Sequence, residues 1–260
     1  MQRGENLTLL AWLQHLLNEL PRHVSMRGMF LGGVVASVPM TLILIGEMFH
    51  YQVQLFPPRV VKMRRRWNAK AVSMMAMTAA LSVILQAVSA ILVLIPGFLT
   101  FRADAMVRFP FGAIFGMPAV WGVAIANLLG DALTGSLSPG SLAGAVISWW
   151  MGYLFYRCYR GAKDYCMEKR TAWFKYYAVM LLWCGLGSLY LCTNFSLLRL
   201  FPDPIIWTAI FPAVIITTFF GGILGPFVAR VIGPAAERYG LSRDEMGYEE
   251  SDMRLRPVAR

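Results

Sequence analysis

Residues 28–48, GMFLGGVVASVPMTLILIGEM, carry one ionisable side chain, Glu47. At ~1.5 Å of rise per residue, a helix of this length crosses the ~30 Å hydrocarbon layer of a bilayer. Comparable apolar blocks recur at 71–97, 109–117, 118–133, 142–157, 172–192 and 205–230. Only 15% of the residues are charged, against about 25% in a soluble domain. These blocks specify an all-α, polytopic membrane helix bundle, because lipid tolerates only backbone that hydrogen-bonds within its own segment or within a closed barrel.

The net charge of +10 does not point to nucleic acid, since the basic residues gather at the ends of apolar blocks. The densest cluster, PPRVVKMRRRWNAK (57–70), lies in a linker over 49–69, and a second, RCYRGAKDYCMEKR, covers 157–170. With the blocks threaded alternately, both clusters fall on one side. The positive-inside rule makes that side cytoplasmic in a cell inner membrane. The loops at 100–108, 134–141 and 192–204 then lie outside and hold only Arg102, Arg108 and Arg199 as cations. The block at 28–48 starts late and lacks an Ala-x-Ala cleavage site before the basic run, so it reads as a retained transmembrane helix rather than a signal peptide. This puts the N-terminus outside, with residues 1–27 as an interfacial amphipathic segment and 233–260 as a mobile cytoplasmic tail. Glu47 is expected to meet water near the cytoplasmic face.

Little suggests an enzyme. Cys158, Cys166, Cys184 and Cys192 form no CxxC pair, and the three histidines stand near the N-terminus. No metal site, disulfide framework or cofactor is expected. Walker A, GxSxG and HExxH motifs are absent from the sequence, and Glu47, Asp104 and Asp131 are scattered.

The stretch FPFGAIFGMPAVWGVAIANLLGDAL (109–133) breaks the rule of smooth apolar helices. Gly112, Gly116, Gly122 and Gly130 strip side chains from helix surfaces and permit close helix contact in lipid. Gly-Met-Pro at 116–118 interrupts the helix, so the stretch reads as a buried hairpin. Asn127 and Asp131 stand four apart, on one helix face. Two readings remain open: the polar wall of a ligand cavity, or a helix-end carboxylate in interfacial water with Asn127 bonded to a neighbouring helix.

These residues carry a resemblance. Residues 71–85, the Arg- and Asp-containing loop and 109–133 together resemble the S components of energy-coupling factor (ECF) importers. The family pattern falls on Gly112, Phe115, Gly116, Pro118, Gly122, Asn127, Gly130 and Asp131, with Met117 standing between Gly116 and Pro118. The IANLLG piece is similar to the subgroup associated with queuosine precursors. The resemblance spans 70–232 and implies a six-helix S-component-like core, to which 28–48 adds one N-terminal transmembrane helix. It also implies a micronutrient (vitamin or nucleobase-like) as ligand, with a membrane coupling subunit and cytoplasmic ATPases as partners. The family docks its coupling subunit through an Ala-x-x-x-Ala face, which here matches Ala76 and Ala80, with Ala79 alongside.

On that reading the ligand site faces outside. Arg102, Asp104 and Arg108 offer a guanidinium–carboxylate clamp, although snorkelling arginines have the same composition. Trp149 and its neighbour Trp150, Trp183 and Trp207 offer flat aromatic walls, although Trp207 suits the interfacial aromatic belt equally well. Asn194 and Asp203 are candidates for a lid. The expected function is a substrate-binding subunit of an ATP-driven importer. The alternative is an accessory membrane subunit without transport activity, which needs no polar cavity.

Overall fold

The computed structural model describes residues 25–55, 58–65, 67–89, 93–95, 99–100, 102–244 and 249–250. The amphipathic segment expected before Ser25 and the chain beyond 250 lie outside the described residues. The described chain is an all-α membrane bundle with short strand pairs in its linkers. Its helices are α1 (Met26–Met48), α2 (Ala69–Ser89), α3 (Ala105–Phe115), α4 (Met117–Leu133), α5 (Pro139–Cys158), α6 (Ala162–Tyr165), α7 (Arg170–Leu197), α8 (Asp203–Ile205), α9 (Phe211–Gly222) and α10 (Gly225–Arg238). A π-helical turn, Ile206–Ile210, joins α8 to α9. Among the described residues, four continuous runs are long and apolar enough to cross a membrane: α1, α2, α7 and the run Asp203–Gly222.

Of the boundaries that depart from the sequence reading, three shape the bundle most. The block at 71–97 stops being helical at Ser89; beyond it, Val93–Ile95 pairs antiparallel with Leu99–Thr100. The block at 205–230 splits between Gly222 and Gly225, where Pro226 starts α10. Proline is suited to a helix's first turn, where its missing N–H costs nothing. Third, α10 runs through Gly233 to Arg238, so the polar tail begins later than expected. Among its buried residues, Gly225, Ala229, Gly233 and Ala236 form one small-residue stripe, with Gly225 set against Tyr176 and Gly233 against Cys166. The 49–69 linker also has order, since Tyr51–Leu55 pairs with Pro58–Lys62.

The α3–α4 hairpin forms as expected. Gly116 has φ +69°, a conformation that costs glycine nothing and strains other residues, and Pro118 opens α4. At 11 residues, α3 is about 16 Å long, roughly half of a hydrocarbon layer. It therefore starts at mid-depth and ends at the Gly116 corner. Arg243 holds that corner: its backbone N–H donates to the Ile114 carbonyl at 2.8 Å. Its guanidinium donates to the carbonyls of Tyr156 and Tyr159 at 2.6 and 2.9 Å.

Close helix crossings explain the glycines. A Cβ on Gly122 would meet the Met75 carbonyl of α2 at 2.5 Å, and one on Gly112 would fall on the Gly152 carbonyl of α5. Gly33 of α1 rests on Leu189 and Thr193 of α7. Indole N–H groups tie further pairs: Trp150 donates to the Met40 carbonyl and Trp183 to the Ile147 carbonyl, both at 3.0 Å. Glu47 does not meet water. It is 1% exposed and accepts a 2.7 Å bond from the Tyr153 hydroxyl. Thus α1 starts beside Ser196 and Asp203 and ends beside the C-terminal half of α5.

The α3–α5 crossing makes a direct prediction. Gly112→Ala should destabilise the detergent-solubilised protein by about 1–3 kcal/mol through overpacking, read as a lower melting temperature. Gly32→Ala, where a Cβ meets nothing within 4 Å, should leave the melt unchanged or slightly raised.

Candidate functional site

The start of α3 brings a carboxylate into the interior. Asp104, at the N-cap, is 0% exposed, and so is Arg108 one turn on. Isolated, either charge would cost many kcal/mol in so apolar a setting; paired and hydrogen-bonded, both are tolerated. Arg102 Nε lies 3.1 Å from Asp104 Oδ1, and its Nη2 3.1 Å from Oδ2, the bidentate geometry that a guanidinium favours. Arg108 Nε sits 2.5 Å from Asp104 Oδ2. That approach is a charge contact, because the N–H direction does not satisfy hydrogen-bond geometry.

The remaining arms of Arg108 fasten other helices. Nη2 donates to Gln86 Oε1 of α2 at 3.0 Å, and Nη1 to Ser148 Oγ of α5 at 3.3 Å. Ser148 donates to Asn127 Oδ1 of α4 at 3.1 Å. Asn127 Oδ1 also accepts from Arg102 at 3.4 Å, and Asn127 Nδ2 donates to Asp131 Oδ2 at 3.4 Å. The polar network therefore joins α2, α3, α4 and α5. Ser148 is about 14 Å along the ~30 Å axis of α5, so the Arg108–Ser148 end of the network lies near mid-depth, whereas Asp131 stands two residues before the end of α4, close to the mouth.

A cavity of about 390 Å³ opens on this network, within the size range of small-molecule sites. Its mouth is at the turns carrying Ser136, Ser138, Leu200 and Phe201. Its walls come from α4, α5, α7 and α9, with Met151 and Trp183 the deepest on α5 and α7. Gly140, Ser141, Gly144, Ile147, Ser148 and Met151 line it from α5, at the spacing of one helix face. The π-helical turn contributes Ile210; such local irregularities are frequent at functional sites.

The expected residues divide on this geometry. Arg102, Asn127 and Asp131 line the cavity. Asp104 lies directly behind them. Arg108 belongs to α3 rather than to an outside loop, and acts behind the wall. Trp149 does not reach the cavity: it stacks on Tyr153 at 4.4 Å and meets Trp121 and Trp150 edge-on. Its inter-helix neighbour is Trp121 of α4, while Trp150 is bonded to α1. Asn194 is spent on its own helix, donating to the Tyr190 carbonyl at 2.8 Å. Trp207 is buried beside a separate cleft with Met26, Arg27, Phe30 and Asp203; Asp203 accepts from Ser196 at 2.6 Å. Ala76 and Ala80 are exposed on α2, whereas Ala79 is 6% exposed and faces inward.

Sequence reasoning missed Gln86, Ser148, Ser141, Thr217 and Thr218. A signal existed in α2: Thr78, Ser82, Gln86 and Ser89 recur at helical spacing within an apolar block, and all four are buried. On α5, Ser141 and Ser148 stand seven apart and hence on one face.

The charge cluster makes the second prediction. Asp104→Asn leaves the buried Arg108 and the half-buried Arg102 without their carboxylate and should cost about 3–5 kcal/mol, seen as a large drop in melting temperature. Arg102→Gln keeps the inner Arg108–Asp104 pair and should cost clearly less. Equal losses would contradict this ranking. Comparison with known protein families, curated proteins and solved structures finds no match to this chain.

Proposed function

We propose that the chain is the substrate-binding membrane subunit of an importer. It takes a small micronutrient-like molecule from outside and passes it inward with a coupling subunit and ATPases. One observation carries the reading: a cavity of about 390 Å³ that runs from the 134–138 and 198–202 turns to the charged network at mid-depth. Placing four ionisable side chains within a membrane bundle, two of them fully buried, is costly, and such residues mark substrate paths. The six-helix core consists of α2, α3, α4, α5, α7 and the run from α8 to α9 with α10, and α1 is the added helix. The mouth lies at the end of the bundle remote from both basic clusters, which the positive-inside rule assigns to the outside.

Two further features support this reading over an accessory subunit. An accessory subunit calls for a closed, apolar interior, whereas this one carries charged and hydroxyl groups and is open at one end. The exposed Ala76 and Ala80 on α2 leave a flat strip against which a partner helix can pack closely. The exposed stripe of Leu31, Val35, Val38 and Leu42 on α1 is the apolar patch that an accessory subunit would present, and it suits contact with lipid equally well.

The test is mass spectrometry of small molecules released from protein purified in mild detergent, with Arg102→Ala and Asp131→Ala variants alongside. The expected result is a polar compound at near-stoichiometric level that both variants lose. Lipid alone in all three samples would contradict the proposal.

A further inference from the structure

The charges around the cavity restrict its ligand, given the binding role proposed above. Among the described residues, Arg102 and Asp131 are the charged side chains lining the cavity, and Asp104 and Arg108 lie behind them. Two cations and two carboxylates sum to zero. The inner pair is shut away: Asp104 and Arg108 side chains are each 0% exposed, and Gln86 and Ser148 occupy the outward arms of Arg108. Arg102 is different. It is a second cation on a carboxylate that Arg108 already compensates, and its side chain is 27% exposed.

Opposite it, Asp131 stands partly exposed one turn beyond Asn127. Asn127 bridges the two with bonds of 3.4 Å on each side, beyond the usual range for N–H···O bonds and therefore weak. Arg102 and Asp131 thus keep hydrogen-bonding capacity toward the cavity, one as donor and one as acceptor. A ligand with net charge would leave that charge uncompensated inside the bundle, where it is costly. A ligand carrying both poles would replace the weak bridge with two stronger contacts and add no net charge. The apolar part of the wall, Trp183, Phe195, Phe201 and Val214 among it, suits an apolar or aromatic body.

We propose that the cavity selects a net-neutral small molecule with an acceptor for Arg102 and a donor for Asp131 on a ring or alkyl body. A zwitterionic aminocarboxylate and an uncharged lactam heterocycle both have this chemistry.

Thermal melts and equilibrium binding of the purified full-length protein would use four probes: L-tryptophan (zwitterion), hypoxanthine (neutral lactam), tryptamine (cation) and indole-3-propionate (anion). At least one net-neutral probe should raise the melting temperature, while neither ion does; which one succeeds distinguishes the two sources. Asp131→Asn, which leaves the cavity net positive, should shift preference toward indole-3-propionate by about tenfold or more. Arg102→Gln should shift it comparably toward tryptamine. A control melt without probe confirms that each variant folds. Tight binding of either ion to the unmodified protein, or unchanged preference in both variants, would overturn the inference while leaving the binding role intact. If no probe binds and no compound co-purifies, both fall.

Discussion

Placing Asp104 near the middle of an apolar bundle sets the terms for much of the rest. A carboxylate at that depth must be matched by cations, and the cations by further acceptors. Arg108 meets the first need and, through Gln86 and Ser148, ties α2 and α5 to α3. Arg102 meets it from the cavity side and reaches α4 through Asn127. A short helix beginning at mid-depth follows from the same requirement, because a full-length α3 would carry its N-terminal charges toward the bundle's end. Four helices therefore have their mutual register fixed by one charged group and its partners.

The hollow beside this group follows from side-chain size. Gly140, Ser141, Gly144 and Ser148 leave little bulk on one face of α5, and Thr217 and Thr218 do the same on α9. At Gly144 even a methyl group would come within 2.6 Å of Asn127 Nδ2, which would disturb the bridge between Arg102 and Asp131. The opposite end is closed by larger groups. Phe109, Phe155 and Tyr176 pack edge-on or tilted, and Arg243 secures the Gly116 corner. The molecule is thus open at one end and sealed at the other, as a subunit loaded from one side requires.

Much of this was legible in the sequence. Apolar blocks mark the helices because lipid demands them, and Gly116 with Pro118 marks the hairpin because glycine accepts the positive φ and proline starts a helix. Arg102, Asp104, Asn127 and Asp131 stand out as polar groups in apolar surroundings, and they converge. The misreadings have physical causes. Arg108 looked like part of a loop because charge usually signals water, whereas here charge is paired inside the bundle. Trp149 has the depth of a cavity residue, but depth does not give azimuth; Trp149 and Trp150 project from adjacent faces, and neither faces the hollow. Asn194 is polar and near the mouth, yet its nearest acceptor is its own helix. Hydroxyl residues such as Ser148 and Thr218 carry no individual signal, because serine and threonine bond their own helix as readily as a ligand.

The central claim is that an aqueous path reaches mid-depth from the mouth. Thr218 lines the cavity and lies 15 residues beyond Asp203, about 22 Å along the helical run. A Thr218→Cys variant, with Cys158, Cys166, Cys184 and Cys192 replaced, would be exposed in intact cells to a membrane-impermeant maleimide. Ala126→Cys, buried away from the cavity, is the control. The account predicts that position 218 labels from outside while position 126 does not. Labelling of 218 only after the cells are permeabilised, or not at all, would contradict it.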